Sequence, residues 1–369
     1  MFRSSQSCSA ASGRGRVVLF SAVAVFLCVQ LGLDVALNTK RPLRDPEYGR
    51  RLESLQRHLA ERAPVHQLVL FMGSSRIGTT IHPDVITANQ SPVGGGPVVF
   101  NYGICNSGPI IEMLTLRRLL ADGIHPDCVF IEVYPWIDAW PAAAQMRDWP
   151  HERLLWDDLG PLQPYTPTRK SDARMWMTDH ILPWLSLRTH LLNQWAPQWV
   201  APDRRNSANW DGLDNWGWLK VPAFTNDDGQ GQMRIDHCRL LFVPDGERFT
   251  PCEASVRAFK ELLALCKSEK ITAVLVTMPD YFASDYSPAA RERMDDFMRG
   301  QSLEHDAPFI DARTWASAED YFDGAHLTQV GGAVFTRRFD RDVLQPYLRG
   351  EPLDRAWPPG RLNAVSQGP

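Results

Sequence analysis

The sequence predicts an α/β fold in which a parallel sheet carries helices on both faces. Two observations carry this. Apolar runs of strand length recur at residues 68–72, 98–100, 127–133, 271–277 and 309–310, with segments of helical length between them. A tryptophan- and proline-rich stretch, residues 137–250, breaks the alternation once, and the alternation resumes beyond it. Strands and helices that alternate in this way build parallel sheets, whose sites lie at the carboxyl ends of the strands. With 44% hydrophobic and 22% charged residues, the 369-residue chain is globular in composition and long enough for one large or two ordinary domains. Its formal net charge of −4, without a basic block, argues against nucleic acid as a partner.

Taken in order, Arg3, Arg14 and Arg16 precede an uncharged run from Val17 to Leu33. That run reads as a signal peptide or signal anchor over residues 1–38, spanning roughly 25 Å as a helix. No small-residue cleavage site stands before Asp34, and Val25-Phe26-Leu27 is too bulky for a lipoprotein site at Cys28. An uncleaved anchor is the favoured reading, with the positive flank left in the cytoplasm and the rest exported to a periplasmic or extracytoplasmic space. A cleaved, secreted form is the other outcome.

Residues 39–64 read as a linker with Pro42 and Pro46, followed by a helix from Glu47 to Glu61 that sets Leu52, Leu55 and Leu59 on one side. Residues 65–136 form the first part of the core. The glycines at 94–96 precede a strand and lack a following Lys-Ser/Thr, so they do not make a phosphate loop. Pro109 opens a helix to Leu120. In the insertion, 137–250, strand–helix alternation is lost, as in lids and binding loops. Its ten tryptophans, Trp140 to Trp218, are suited to packing an irregular segment or to stacking on sugar rings.

The second part of the core, 251–349, holds an amphipathic helix from Ala254 to Lys267, helices at Pro288–Arg299 and Thr328–Leu348, and the last two strands. The tail, 350–369, rich in Pro, Gly and Arg, reads as disordered.

Seven cysteines show no CxxC pair; Cys105 and Cys128 read as buried thiols, and Cys238, Cys252 and Cys266 are the candidates for a disulfide. His82, His125 and His151 read as solvated, and His237-Cys238 and His305-Asp306 lack companions at metal-ligand spacing.

The chemistry concentrates at two places. Gly73 ends the first strand, so Ser74 and Ser75 fall at its carboxyl end, where one serine can cap the next helix and the other can face solvent as a nucleophile. Asp323 and His326, three apart before the last helix, can present a carboxylate and an imidazole to one point. An imidazole takes the serine proton, and a carboxylate fixes the ring's tautomer. Glu132, a charge inside a strand, reads as the anchor of a hydrogen-bond network or as a contact of the site, with the structural role favoured.

"FMGSSR", "NYGICNSGP", "PDCVFIEVYPW" and "DGAHLT" stand in the order of the sequence blocks of the SGNH/GDSL hydrolases, which this chain resembles. The resemblance implies a flavodoxin-like three-layer α/β core, with Ser75 as nucleophile, His326 as general base and Asp323 as its orienting carboxylate. It requires no metal or organic cofactor. This sequence departs from the family pattern in three places. Ser74 replaces an Asp. Asn106 stands at the second-block Gly, near Gly103 and Gly108. Trp136 stands at the third-block Asn, a side-chain oxyanion donor. Arg76, Asn101 and Asn106 are the candidate replacements, and the amides of Ser75 and Asn106 are the expected backbone donors. The Gly-Ser-Ser block with an N-terminal anchor also resembles the membrane-anchored protein of teichoic-acid D-alanylation, which implies acyl transfer at the cell surface.

The expected function is therefore that of an exported serine esterase or O-acyltransferase, with a small-molecule or glycan acyl substrate and O-acylated envelope glycans as the favoured class. The alternative is a non-catalytic surface protein that binds glycan or protein through the insertion.

Overall fold

A computed structural model describes residues 7–64, 67–90, 96–146, 149, 153–165, 169–220, 229–242 and 249–353. The glycines at 94 and 95, His151 and the tail from residue 354 lie outside the described residues.

The chain opens with α1 (Ser7–Thr39) and α2 (Pro46–Glu61), followed by β1 (Leu68–Gly73), the short α3 (Ser75–Thr80), β2 (Val98–Gly103), α4 (Pro109–Ala121) and β3 (Cys128–Glu132). The insertion contributes α5 (Arg169–Ile181), α6 (Pro183–Trp195) and α7 (Gly231–Phe242). The core then resumes with α8 (Glu253–Ser268), β4 (Thr272–Thr277), α9 (Pro288–His305), β5 (Phe309–Asp311) and α10 (Gln329–Phe339).

The five strands form one parallel sheet in the order β2-β1-β3-β4-β5. The flavodoxin-like three-layer architecture expected from the sequence is the one the chain adopts. From β1 the chain crosses outward to β2 and then returns past β1 to β3, so the carboxyl ends of β1 and β3 flank the switch point where such sheets hold their sites.

Successive strand side chains point to opposite faces, and both faces are covered, which is why the strands read as continuous apolar runs. Leu68, Leu70, Met72, Phe100, Val129, Ile131 and Leu275 pack beneath Leu52 and Leu55 of α2, Leu114 of α4, Phe259 and Leu262 of α8, and Met294 and Met298 of α9. Val69, Phe71, Val99, Phe130, Val274 and Val276 pack on the other side against Ile77 of α3 and Phe335 and Phe339 of α10. The last helix is not continuous to Leu348: a π turn, Asp340–Leu344, interrupts it. There Asp340 reaches back to accept both the amide and the hydroxyl of Thr87, at 3.0 and 2.7 Å.

The described insertion is helical, and it is bound to the core in several places, among them two away from the Tyr321–Leu327 loop. In one, Arg153 pairs with Asp45 and Glu47 at 2.6 and 2.9 Å, and Arg118 pairs with Asp45 and Asp158 at 2.8 and 2.6 Å. The buried Trp149 ring lies 4.3 Å from the Arg153 guanidinium and 5.1 Å from that of Arg118. In the other, the turn Leu213–Leu219 docks on the outer edge of β2. The Trp216 carbonyl accepts the Asn101 amide at 3.0 Å, and the Trp218 indole donates to Thr79 O at 2.7 Å. Gly217 has a φ of +81°, and a Cβ there would lie 2.0 Å from Asn101 O, so this contact requires glycine. Two residues earlier on the same edge, the Asn89 side chain bonds both the amide and the carbonyl of Val99, at 3.0 and 2.7 Å.

The insertion's tryptophans thus divide: Trp149 and Trp210 are buried in packing, whereas Trp156, Trp184, Trp195 and Trp199 are exposed. Residues Gly15–Thr39 of α1 are long and apolar enough to be a membrane anchor or signal sequence. Cys105, Cys128, Cys238, Cys252 and Cys266 are free thiols, so no disulfide joins any of the three candidates.

Candidate active site

The carboxyl end of β1 is shaped by what Gly73 lacks. A Cβ there would lie 2.6 Å from the Glu132 side chain and 2.6 Å from Ile77. Without it, Glu132 reaches across from β3, and its Oε2 accepts the Ser74 amide at 2.7 Å. Ser74 is extended, and its hydroxyl accepts the Arg76 amide at 3.1 Å, capping α3. Ser75 is therefore the first residue of α3. It is half-buried, and its own amide has no carbonyl four residues back to bond. The two serines divide the roles the sequence offered them: Ser74 caps, and Ser75 turns outward.

The partner loop is equally determined. A bridge between Tyr321 and Leu327 closes it, and Phe322 N donates to His326 O at 2.8 Å. Gly324 sits at a φ of +88°, with the Phe282 ring where a Cβ would fall. Asp323 Oδ1 accepts the amides of Ala325 and His326 at 3.0 and 2.7 Å, and Thr328 caps α10 through Gly331 N at 3.0 Å. This leaves Asp323 Oδ2 facing His326 Nδ1 at 2.9 Å. On the far side of the ring, His326 Nε2 lies 2.8 Å from Ser75 Oγ, joining residues 251 positions apart. Burial works to raise the Asp323 carboxyl, but the His326 ring and the bonds from His326 and Ala325 outweigh it and hold the group below the usual carboxylate range. It therefore stays ionised beside the ring.

No family model matches the chain. No curated protein matches it either.

The candidate oxyanion residues are sorted by their hydrogen bonds, and three are otherwise engaged. The Asn101 side chain is fully buried and donates to the carbonyls of Ile77 at 2.9 Å and Ile81 at 2.7 Å, closing the end of α3. Its oxygen accepts the Gly103 amide at 2.9 Å, which removes Gly103 as a donor as well. What Gly103 supplies is close packing, since a Cβ there would lie 2.3 Å from Gly78 N.

Arg76 turns inward. It donates to Pro279 O, approaches Glu132 Oε1 at 3.5 Å and lies 4.1 Å over the Tyr134 ring. Burial opposes its charge, but Tyr134, Glu132 and Asp280 hold the guanidinium charged beyond the ordinary arginine range. It is a brace between the ends of β1, β3 and β4. Asn106 remains. The Ile104 amide bonds Gly73 O at 2.8 Å, which sets the turn 104–107 just beyond the end of β1. In that turn Asn106 is exposed and left-handed, with a φ of 55°, a conformation Asn tolerates better than most residues. Trp136 lies in the helical turn Pro135–Asp138, and its side chain is outside the described residues.

Two features of the site are not local in sequence. Glu132 belongs to a group of buried acids: the carboxyls of Glu112 and Asp138 are both pushed well above the usual range, by burial first and by the Glu132 charge second. The insertion also touches the loop that carries Asp323 and His326. Arg234 of α7 donates to Phe322 O at 3.2 Å and lies 4.1 Å over its ring. Cys238 of the same helix bonds the Ala325 backbone, and burial pushes its thiol up to about 12. No local pattern in the sequence announces these contacts: α7 lies where strand–helix alternation is lost, and its apolar side chains divide between buried Ile235 and Cys238 and exposed Met233 and Leu240. His82, read as solvated, is buried: it lies 3.8 Å from the Trp218 ring. His125 is exposed, as expected. Among the described residues no three His, Cys, Asp or Glu side chains gather as a metal site.

Proposed function

We propose that this chain is an SGNH-like serine esterase or O-acyltransferase, held at a membrane by α1 with its globular part exported. The observation that carries the reading is the relay Ser75–His326–Asp323, with separations of 2.8 and 2.9 Å at the carboxyl end of β1. Ser75 Oγ attacks the acyl carbonyl carbon as His326 Nε2 takes the hydroxyl proton. The bond to the leaving alcohol breaks, and His326 returns the proton to that oxygen. Water or an acceptor hydroxyl then attacks the acyl-Ser75 ester and gives its proton to His326, which passes it back to Ser75 Oγ. Asp323 steadies the imidazolium in both halves without taking the proton. The amides of Ser75 and Asn106 receive the developing oxyanion. The favoured substrate class is an O-acylated envelope glycan, a choice supported by the anchor and by the exposed Trp156, Trp195 and Trp199 of the insertion.

A fluorophosphonate probe tests the reading. Labelling of the wild type that disappears in Ser75→Ala supports it. A folded wild type that is not labelled turns the assignment to a non-catalytic surface protein. Product analysis with and without an acceptor sugar separates hydrolysis from transfer.

A further inference from the structure

Gln30 interrupts the apolar run of α1, and it is the place where that helix is joined to the insertion. Around it α1 is open, with Val29 57% and Leu31 66% exposed, while Gln30 is buried. Its Oε1 accepts the Trp184 amide at 3.0 Å, in the first turn of α6. Leu182, at the N-cap of α6, has no side-chain acceptor, so Gln30 caps this helix from α1. Above the joint, Leu37 packs against Leu187 and Leu191, and Gln194 donates to Leu43 O at 2.8 Å. The α5–α6 hairpin therefore runs beside the end of α1, with its tip at the level of Gln30.

That level has a depth. Gln30 precedes Asp34, the first charge after the apolar run, by four residues, or about 6 Å of helix. The tip exposes Ile181, the last residue of α5, at 66%, and Trp184 at 42% and Leu185 at 56% in the first turn of α6. Met177 of α5, one turn before Ile181, is exposed too. Arg188, one turn above Trp184, is also exposed and falls at about the level of Asp34, where phosphate headgroups would stand.

We propose that the tip Ile181–Leu185 inserts into the lipid leaflet from which α1 emerges, giving the chain a second, monotopic membrane contact. The proposal rests on the reading of α1 as a membrane span. A lipid occupant is favoured because the patch is continuous with the apolar surface of α1 and lies within its apolar depth. A polar side chain inside a span needs a partner, and Trp184 supplies one from an element that is itself apolar on its outer side.

The test is photo-crosslinking in full-length chain reconstituted in phosphatidylglycerol–phosphatidylethanolamine nanodiscs, with benzoylphenylalanine placed at residue 19, 185 or 260 and adducts read by mass spectrometry. Lipid adducts from positions 19 and 185, with none from exposed position 260 on α8, support the proposal. Lipid adducts from 19 but not 185 overturn it and leave the α1 span standing. A protein adduct from 185 in native membranes, without lipid, overturns it in favour of a partner protein. Absence of lipid adducts from both 19 and 185 overturns the α1 reading and this proposal with it.

Discussion

Glu132 Oε2 accepts the Ser74 amide at 2.7 Å, so the turn that carries Ser75 hangs from a carboxylate of the neighbouring strand. The same carboxylate lies 3.5 Å from Arg76, the residue after Ser75. Glu132→Ala leaves a buried amide and a buried guanidinium uncompensated, and is expected to cost about 3–5 kcal/mol in urea denaturation. Glu132→Gln keeps an oxygen acceptor for Ser74 and should lose less stability. A Glu132→Ala chain as stable as wild type would show that the turn is held by other means.

Asp323→Asn should separate catalysis from folding. The amide oxygen still accepts the Ala325 and His326 backbone bonds, so the loop should persist and the melting temperature stay near wild type. The ring loses its charged partner and its fixed tautomer, and ester turnover should fall roughly a thousandfold or more. Turnover within tenfold of wild type would remove Asp323 from the relay.

Gly217→Ala meets both a φ of +81° and the Asn101 carbonyl. It should destabilise the chain by more than about 1 kcal/mol, while Gly300→Ala, in the open face of α9, should stabilise slightly or be neutral. Equal melting temperatures for the two variants would mean that the Leu213–Leu219 turn is not held against β2 in solution.

The His82 imidazole is lowered to about 4, by burial first and by the nearby Arg337 charge second, with a bond to Thr79 partly offsetting them. The unfolded chain therefore binds the proton at a pH where the folded chain does not. The neutral ring's contribution is complete above pH 6.5 and is lost as pH falls toward 4. Between pH 7 and pH 5 wild type should lose about 2 kcal/mol more than His82→Gln, measured by urea denaturation at each pH. Parallel pH profiles would place the imidazole in water.

The strands, their order of appearance and the Ser75–His326–Asp323 set were legible because each is written locally. An apolar run ended by glycine marks β1, and Asp-x-x-His marks a loop that closes on itself. The oxyanion candidates were not legible. Asn101 looks available in sequence, but carbonyls 20 to 24 residues earlier consume its amide once α3 folds back over β2. His82 sits beside a proline and reads as exposed, yet Trp218, from the insertion, covers it. The π turn at Asp340 is set by Thr87, more than 250 residues away, and no local pattern announces it. Tertiary partners decided each of these.

The outer edge of β2 carries one last consequence. A bare strand at the rim of a sheet offers its amides and carbonyls to any passing extended chain, and so seeds aggregates. Here Asn89 imitates a neighbouring strand at Val99, and Trp216 does the same at Asn101. The insertion thus acts as a built-in guard of this rim: loosening its turn would leave a template for intermolecular pairing well before the core came apart.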